Sequence, residues 1–218
     1  LNAKYYETES RLLNECEALS ELRKRAAVNF EKEIVNELND LGMSGTTFSV
    51  QIAANPKNVT AIGYDQIEFL ISPNQGEPLK PLSKIISGGE MSRFMLALKN
   101  ITAKIDKIGC LVFDEIDSGI SGHIAQVVAE KLCNISRDRQ VIAVTHLPQL
   151  ASMADSHYLI EKSVKDNKTI TNLSLLDQEQ SYREVARLIG GSDYSGFALP
   201  HAKEMKSHSV IYKKSLNN

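Results

Sequence analysis

The sequence predicts an α/β fold preceded by one long helix, and three observations carry that prediction. Residues 1–41 contain no glycine or proline, and their apolar side chains recur in steps of three and four. Two short, wholly apolar runs, 110–113 and 141–144, are separated by a segment of helical periodicity. Polar, glycine-bearing turns stand where one pattern gives way to the next. Apolar strands alternating with amphipathic helices are the pattern of a layered domain with a parallel sheet.

Along the chain, Leu12, Cys16, Leu19, Leu22, Ala26, Phe30, Ile34, Leu38 and Leu41 form one apolar stripe on a helix whose other faces are charged. The plain reading of the stripe is a helix packed on the domain, and the sharper one is the end of a longer coiled coil. Gly42 and Gly45 end it. Residues 46–52 and 66–71 alternate as strands, with turn chemistry at Asn55-Pro56-Lys57-Asn58 between them. A polar loop with Pro73, Gly76, Pro78 and Pro81 leads to Ser87. From Met91, the positions Phe94, Met95, Leu98, Ile101 and Ile105 predict a helix of about four turns. The run 110–113 predicts a buried parallel strand, with Cys110 as a small core hydrophobe. Ile124, Val127, Val128, Leu132 and Ile135 predict a further helix, and 141–144 a second buried strand closed by Thr145-His146. Residues 158–161 and 169–175 read as a hairpin around Lys165-Asp166-Asn167. A C-terminal helical region begins near Glu184 and is broken by Gly190-Gly191 and Pro200.

An apolar fraction of 42% and a charged fraction of 24% are ordinary for a globular domain. A net charge of −2 supplies no global basic field for nucleic acid, which leaves DNA contact to a local patch or to the missing part of the protein. Lys99, Lys104 and Lys107 are such a patch or simply a solvated helix face. Cys16, Cys110 and Cys133 lack metal-ligand spacing and fit a reducing cytoplasm. No apolar run reaches the roughly 18 residues of a membrane span. None of the 12 glycines is followed by lysine, so the phosphate-cradling P-loop is missing. With no initiator methionine, the chain is expected to be a C-terminal piece of a longer protein.

Two segments carry chemistry. Ile86-Ser87-Gly88-Gly89-Glu90 is a small-residue turn opening a helix, where free backbone N–H groups and the positive dipole end suit a phosphate. Serine with glutamate three residues on is also a capping box, and both readings are compatible. Leu111-Val112-Phe113-Asp114-Glu115 is an apolar strand ending in two carboxylates that point to opposite faces. In a nucleotide site Asp114 would orient a magnesium ion and Glu115 would polarise the attacking water. The plain alternative is a pair of solvated acids at a strand end. His146 ends the next strand, 31 residues after Glu115, at the sheet edge where α/β ligand sites lie. It is a candidate sensor of a γ-phosphate or a structural histidine. The turn 117–122 follows the carboxylates, either reaching across a subunit boundary or capping the helix over 123–135.

In order and spacing, about 60 residues resemble the ATP-binding-cassette superfamily. Ser87-Gly88-Gly89-Glu90 resembles its signature motif, 111–115 its Walker B strand, 117–122 its D-loop and His146 its switch histidine. Ile116-Asp117-Ser118-Gly119 departs from the transporter pattern of a proline followed by Ala-Leu-Asp. Residues 77–93, 113–122, 145–149 and 186–191 are similar instead to DNA-repair members of the SMC and Rad50 branch.

That resemblance implies the C-terminal lobe of an ABC-type (SMC-like) ATPase head, with residues 1–40 as the end of a coiled-coil helix and 41–218 as the lobe. It implies ATP and Mg2+ as cofactors. Ser87, Gly88, Gly89, Glu90 and Asp117 would contact nucleotide, Asp114 would hold the metal, and Glu115 and His146 would be catalytic. Implied partners are a Walker A lobe of the same protein, a second head in a homodimer, DNA and a recombinase, in the nucleoid-bearing cytoplasm and away from membrane. The fragment alone is expected to be inactive. Rival readings are another Rad50- or RecF-like head, a non-catalytic interaction module and, last, a transporter cassette.

Overall fold

The structure, a computed structural model, describes residues 2–84, 88–103, 105–165, 168–191 and 196–216. It divides into two compact units, residues 1–101 and 102–218.

The first unit is built on helix α1 (Asn2–Asp40), which is exposed on every side over residues 2–12 and gains buried positions from Cys16 onward. Strands β1 (Thr47–Ala54) and β2 (Asp65–Ser72) pair antiparallel along their full lengths, Thr47 opposite Ser72 and Ala54 opposite Asp65. The turn at Asn55 closes with Asn58 N–H donating to the Asn55 carbonyl at 2.9 Å. A two-residue strand β3 (Lys80–Pro81) lies on the far side of β2, where the sequence suggests only a loop. Helix α2 (Gly88–Thr102) completes the unit.

Phe48 joins these elements. Its ring lies 5.9 Å from Phe30 of α1, 5.5 Å from Phe69 of β2 and 5.6 Å from Phe94 of α2. Asn100 of α2 also donates to Glu37 of α1 at 2.9 Å. The α1 stripe differs from the expected one: Leu12 and Leu22 are exposed, and the packed face runs through Cys16, Ser20, Arg23, Ala27, Phe30, Ile34 and Leu38. The register turns because Arg23 is wanted inside. Its guanidinium donates to Asp65 at 2.8 Å and to the Ile62 carbonyl at 2.7 Å. Tyr64 donates from the same turn to Glu17. Glu31 accepts from Val50 N–H at 2.7 Å and from the Ser49 hydroxyl at 3.1 Å, which occupies a donor on the free edge of β1.

Helix α2 ends at Thr102, short of the expected Ile105, which is 81% exposed. In the second unit Arg139 binds the Ala103 carbonyl at 2.5 Å and Asp106 at 2.6 Å, holding the chain there as a turn. Strands β4 (Cys110–Phe113) and β5 (Gln140–Ala143) pair in parallel, Val112 opposite Ile142. Between them runs α3 (Gly122–Ile135), burying Ala125, Val128, Ala129, Leu132 and Cys133. The strands are not buried on both faces as expected. Leu111 and Phe113 face inward, whereas Cys110 and Val112 lie exposed on the other face.

Helix α4 (Pro148–Met153) precedes the hairpin of β6 (Tyr158–Lys165) and β7 (Lys168–Leu175). Asp166 and Asn167, expected at its tip, lie outside the described residues. Helix α5 (Gln178–Gly190) begins six residues before the expected Glu184, because Asp177 and Gln180 form a reciprocal capping box at 2.8 and 2.9 Å. Helix α6 (Ala198–Ser215) contains Pro200 in its first turn. There a missing N–H costs nothing, so Pro200 opens this helix and does not break it. Ala151, Val185, Ala186, Ala198 and Ala202 knit α4, α5 and α6 together.

Candidate nucleotide-hydrolysis site

Parallel pairing brings the chemistry of the second unit to one edge. Phe113 lies opposite Ala143, and the Val144 N–H donates to the Phe113 carbonyl at 3.0 Å. Asp114-Glu115 and Thr145-His146 therefore emerge side by side where β4 and β5 end. Both acids are exposed. Asp114 accepts from the Glu115 N–H at 3.0 Å.

Glu115 has φ 56°, the one positive value at a non-glycine position among the described residues. The left-handed region costs a side-chain-bearing residue roughly 1–2 kcal/mol, and such strain persists where the surroundings over-determine it, often at functional sites. Here Ile116 is fully buried and anchors the turn, which closes with Ser118 N–H donating to the Glu115 carbonyl at 3.0 Å. Gly119, at φ 74°, continues it. No sequence pattern announces the strained conformation of Glu115.

Asp117 is 4% exposed. Its Oδ2 accepts from the Thr145 hydroxyl at 2.5 Å, from the His146 N–H at 2.8 Å and lies 3.0 Å from His146 Nδ1. The Thr145 hydroxyl oxygen in turn accepts from Leu147 N–H at 3.0 Å. The His146 ring itself is open to solvent, its side chain 72% exposed. Sequence reasoning placed Asp117 near nucleotide but missed its grip on His146, and it missed Thr145 as a partner. The only signal was a hydroxyl residue beside the histidine.

The helix-opening segment belongs to the first unit. Gly88 begins α2 exposed, Gly89 is buried and Glu90 is half-buried. Ser87, expected to contact phosphate, lies outside the described residues. Asp114, Glu115, Asp117 and His146 thus form one cluster in the second unit, and Gly88, Gly89 and Glu90 open a helix in the first. The Asp114 carboxylate supplies the hard oxygen that Mg2+ prefers, in the setting of one or two carboxylates plus phosphate oxygens and water that this ion favours. The exposed start of a 15-residue helix is suited to phosphate. Among the described residues no three His, Cys, Asp or Glu side chains group as a metal-binding set.

Comparison with known proteins decides the relationship. The chain is 40% identical to DNA repair protein RecN of Bacillus subtilis, over 86% of its own length and 35% of that protein. It is 41% identical to RecN of Treponema pallidum, over 90% of its length and 35% of that protein. The chain is a relative of the RecN proteins. The likeness reaches RecN of Streptomyces coelicolor, at 34% identity over 87% of the chain. The chain spans about a third of the length of these RecN relatives. Among solved structures, the Smc head domain with a coiled coil and joint from Pyrococcus yayanosii matches with a TM-score of 0.52 at 21% identity, covering 75% of this chain and 29% of that one. The fold is thus that of an SMC-type head. No family model matches the chain.

Proposed function

We propose that this chain is the C-terminal part of an SMC-like ATPase that acts in DNA double-strand break repair and recombination. The observation that carries the reading is the convergence of Asp114, strained Glu115 and the Asp117-held His146 at the end of one parallel strand pair. Relationship to RecN supports it, since those relatives are named for DNA repair.

In this reading residues 1–40 are the end of a coiled coil and 41–218 the C-terminal head lobe. Ser87, Gly88, Gly89 and Glu90 contact nucleotide bound by a second, identical head, while Asp114 holds Mg2+. Bound Mg2+ would neutralise phosphate charge and orient the γ-phosphate of ATP. Glu115 orients and deprotonates the attacking water, and His146, as the imidazolium that carries a proton on both ring nitrogens, donates a hydrogen bond to the phosphate. The Walker A lobe comes from the two-thirds of the relatives' length that this chain does not span. Head pairing on ATP and release after hydrolysis would drive DNA holding, in the cytoplasm and with a recombinase as a further partner. Among the described residues no helix is long and apolar enough to cross a membrane.

The test is ATP turnover with and without duplex DNA by the full-length protein, its Glu115→Gln variant and this chain alone. Removing the base should lower kcat at least about 100-fold, and the isolated chain should be silent. Equal turnover by wild type and Glu115→Gln favours a binding or scaffolding module instead.

A further inference from the structure

The buried carboxylate of Asp117 accepts two hydrogen bonds, from the Thr145 hydroxyl and the His146 N–H, has His146 Nδ1 3.0 Å away, and sits two residues beyond Glu115. A carboxylate can only accept, so the nitrogen facing it carries a proton. That fixes the neutral His146 ring as the Nδ1–H tautomer and leaves Nε2 as the nitrogen at the open side. The contact to the His146 N–H fixes the backbone as well, so ring position and ring tautomer have one cause. Ile116, next to Asp117, is fully buried, and Asp117 itself is 4% exposed.

We propose that Asp117 is a positioning residue, which holds His146 in place with Nε2 presented outward and ties it to the turn that carries Glu115. The role is distinct from nucleotide contact: the carboxylate is spent on the protein's own turn. It rests on the ATPase reading above. One short segment, 114–117, then supplies the metal ligand and the base and orients the phosphate sensor, so a shift of that segment moves all three together.

The test uses the full-length protein with Asp117→Asn, His146→Ala and the double variant. Asparagine keeps the size and one accepting oxygen for the backbone N–H but loses the charge that orders the ring. The expected result is a kcat lowered about 10- to 100-fold, in the range of supporting-residue substitutions elsewhere, with the KM for ATP within about twofold of wild type. Because Asp117 acts through His146, the double variant should be no slower than His146→Ala. Imidazole 15N NMR at alkaline pH should find His146 as the Nδ1–H tautomer in wild type and shifted toward Nε2–H in Asp117→Asn. An unchanged kcat, multiplying losses in the double variant, or an Nε2–H ring in the wild type each overturns the proposal. The wild-type spectrum decides even if Asp117→Asn does not fold. Equal turnover by wild type and Glu115→Gln overturns the ATPase reading beneath it, and the tautomer then reports on the Asp117–His146 pair separately.

Discussion

Glu115 is held in a conformation that its side chain disfavours, and the strain is separable from the chemistry. Glycine at this position removes the left-handed penalty of about 1–2 kcal/mol while adding some unfolded-state entropy. Glu115→Gly should therefore be as stable as wild type or up to about 1 kcal/mol more stable, measured by thermal denaturation, while turnover is lost. A stability loss would mean that the Glu115 side chain supports the turn. Lys206 of α6 presents a different tension. Burial, with Lys213 nearby, lowers its pKa to about 8, although its ammonium lies 3.5 Å from the Ala154 carbonyl and near Asp155. The unfolded chain then binds more protons than the folded one between about pH 8 and the usual lysine range, so stability rises with pH across that window. Wild type should gain Tm from pH 8 to pH 10 relative to Lys206→Met, which lacks the titrating group.

At the scale of elements, the attachment of α1 depends on the turn before β2. Gly63 has φ 95°, and a Cβ there would meet Leu19 Cδ2 at 3.1 Å and Arg23 Nη1 at 3.2 Å. Gly63→Ala should cost about 1–3 kcal/mol, from backbone strain and a displaced Arg23. A Tm equal to wild type would show that the Arg23–Asp65 pair contributes little there. Burial opposes the charge on Asp65, but the bond from Arg23, with Ser20 and other neighbours, holds its carboxyl below the ordinary range. Its contribution is thus present near neutrality and lost only in acid. Periodicity made α1, β1, β2, α3 and the β6–β7 hairpin legible, because each repeats one local spacing over enough residues. It misread faces where a polar group is recruited inward, as Arg23 is, and where an apolar run faces solvent, as Val112 does. It misjudged α2 because the turn after it depends on Arg139, 36 residues beyond Ala103. In the site, Asp114, Glu115 and His146 were legible from strand ends, whereas the Asp117 grip requires two turns to meet in space.

For the whole molecule, the notable surface is apolar. Val112 is 68% exposed, and Ile142 and Val144 are 47% exposed beside it. On the hairpin, alternation and register place Tyr158, Ile160, Val164, Leu173 and Leu175 on one face, all of them exposed. Contiguous apolar area of this kind is unusual on a lone globular chain. The isolated chain should bind the dye ANS and self-associate with rising concentration, and Val112→Thr with Ile142→Thr should reduce both. A dye-silent monomer would mean that these side chains find cover within the chain. The first unit sets α1 in a different light. Taking the Arg23–Asp65 pair as a fulcrum, the helix extends about 32 Å toward Asn2 and about 22 Å toward Leu38. With no glycine or proline to bend along the way, a sideways load applied at Asn2 reaches the core around Leu38 enlarged about 1.4-fold by the ratio of those arms.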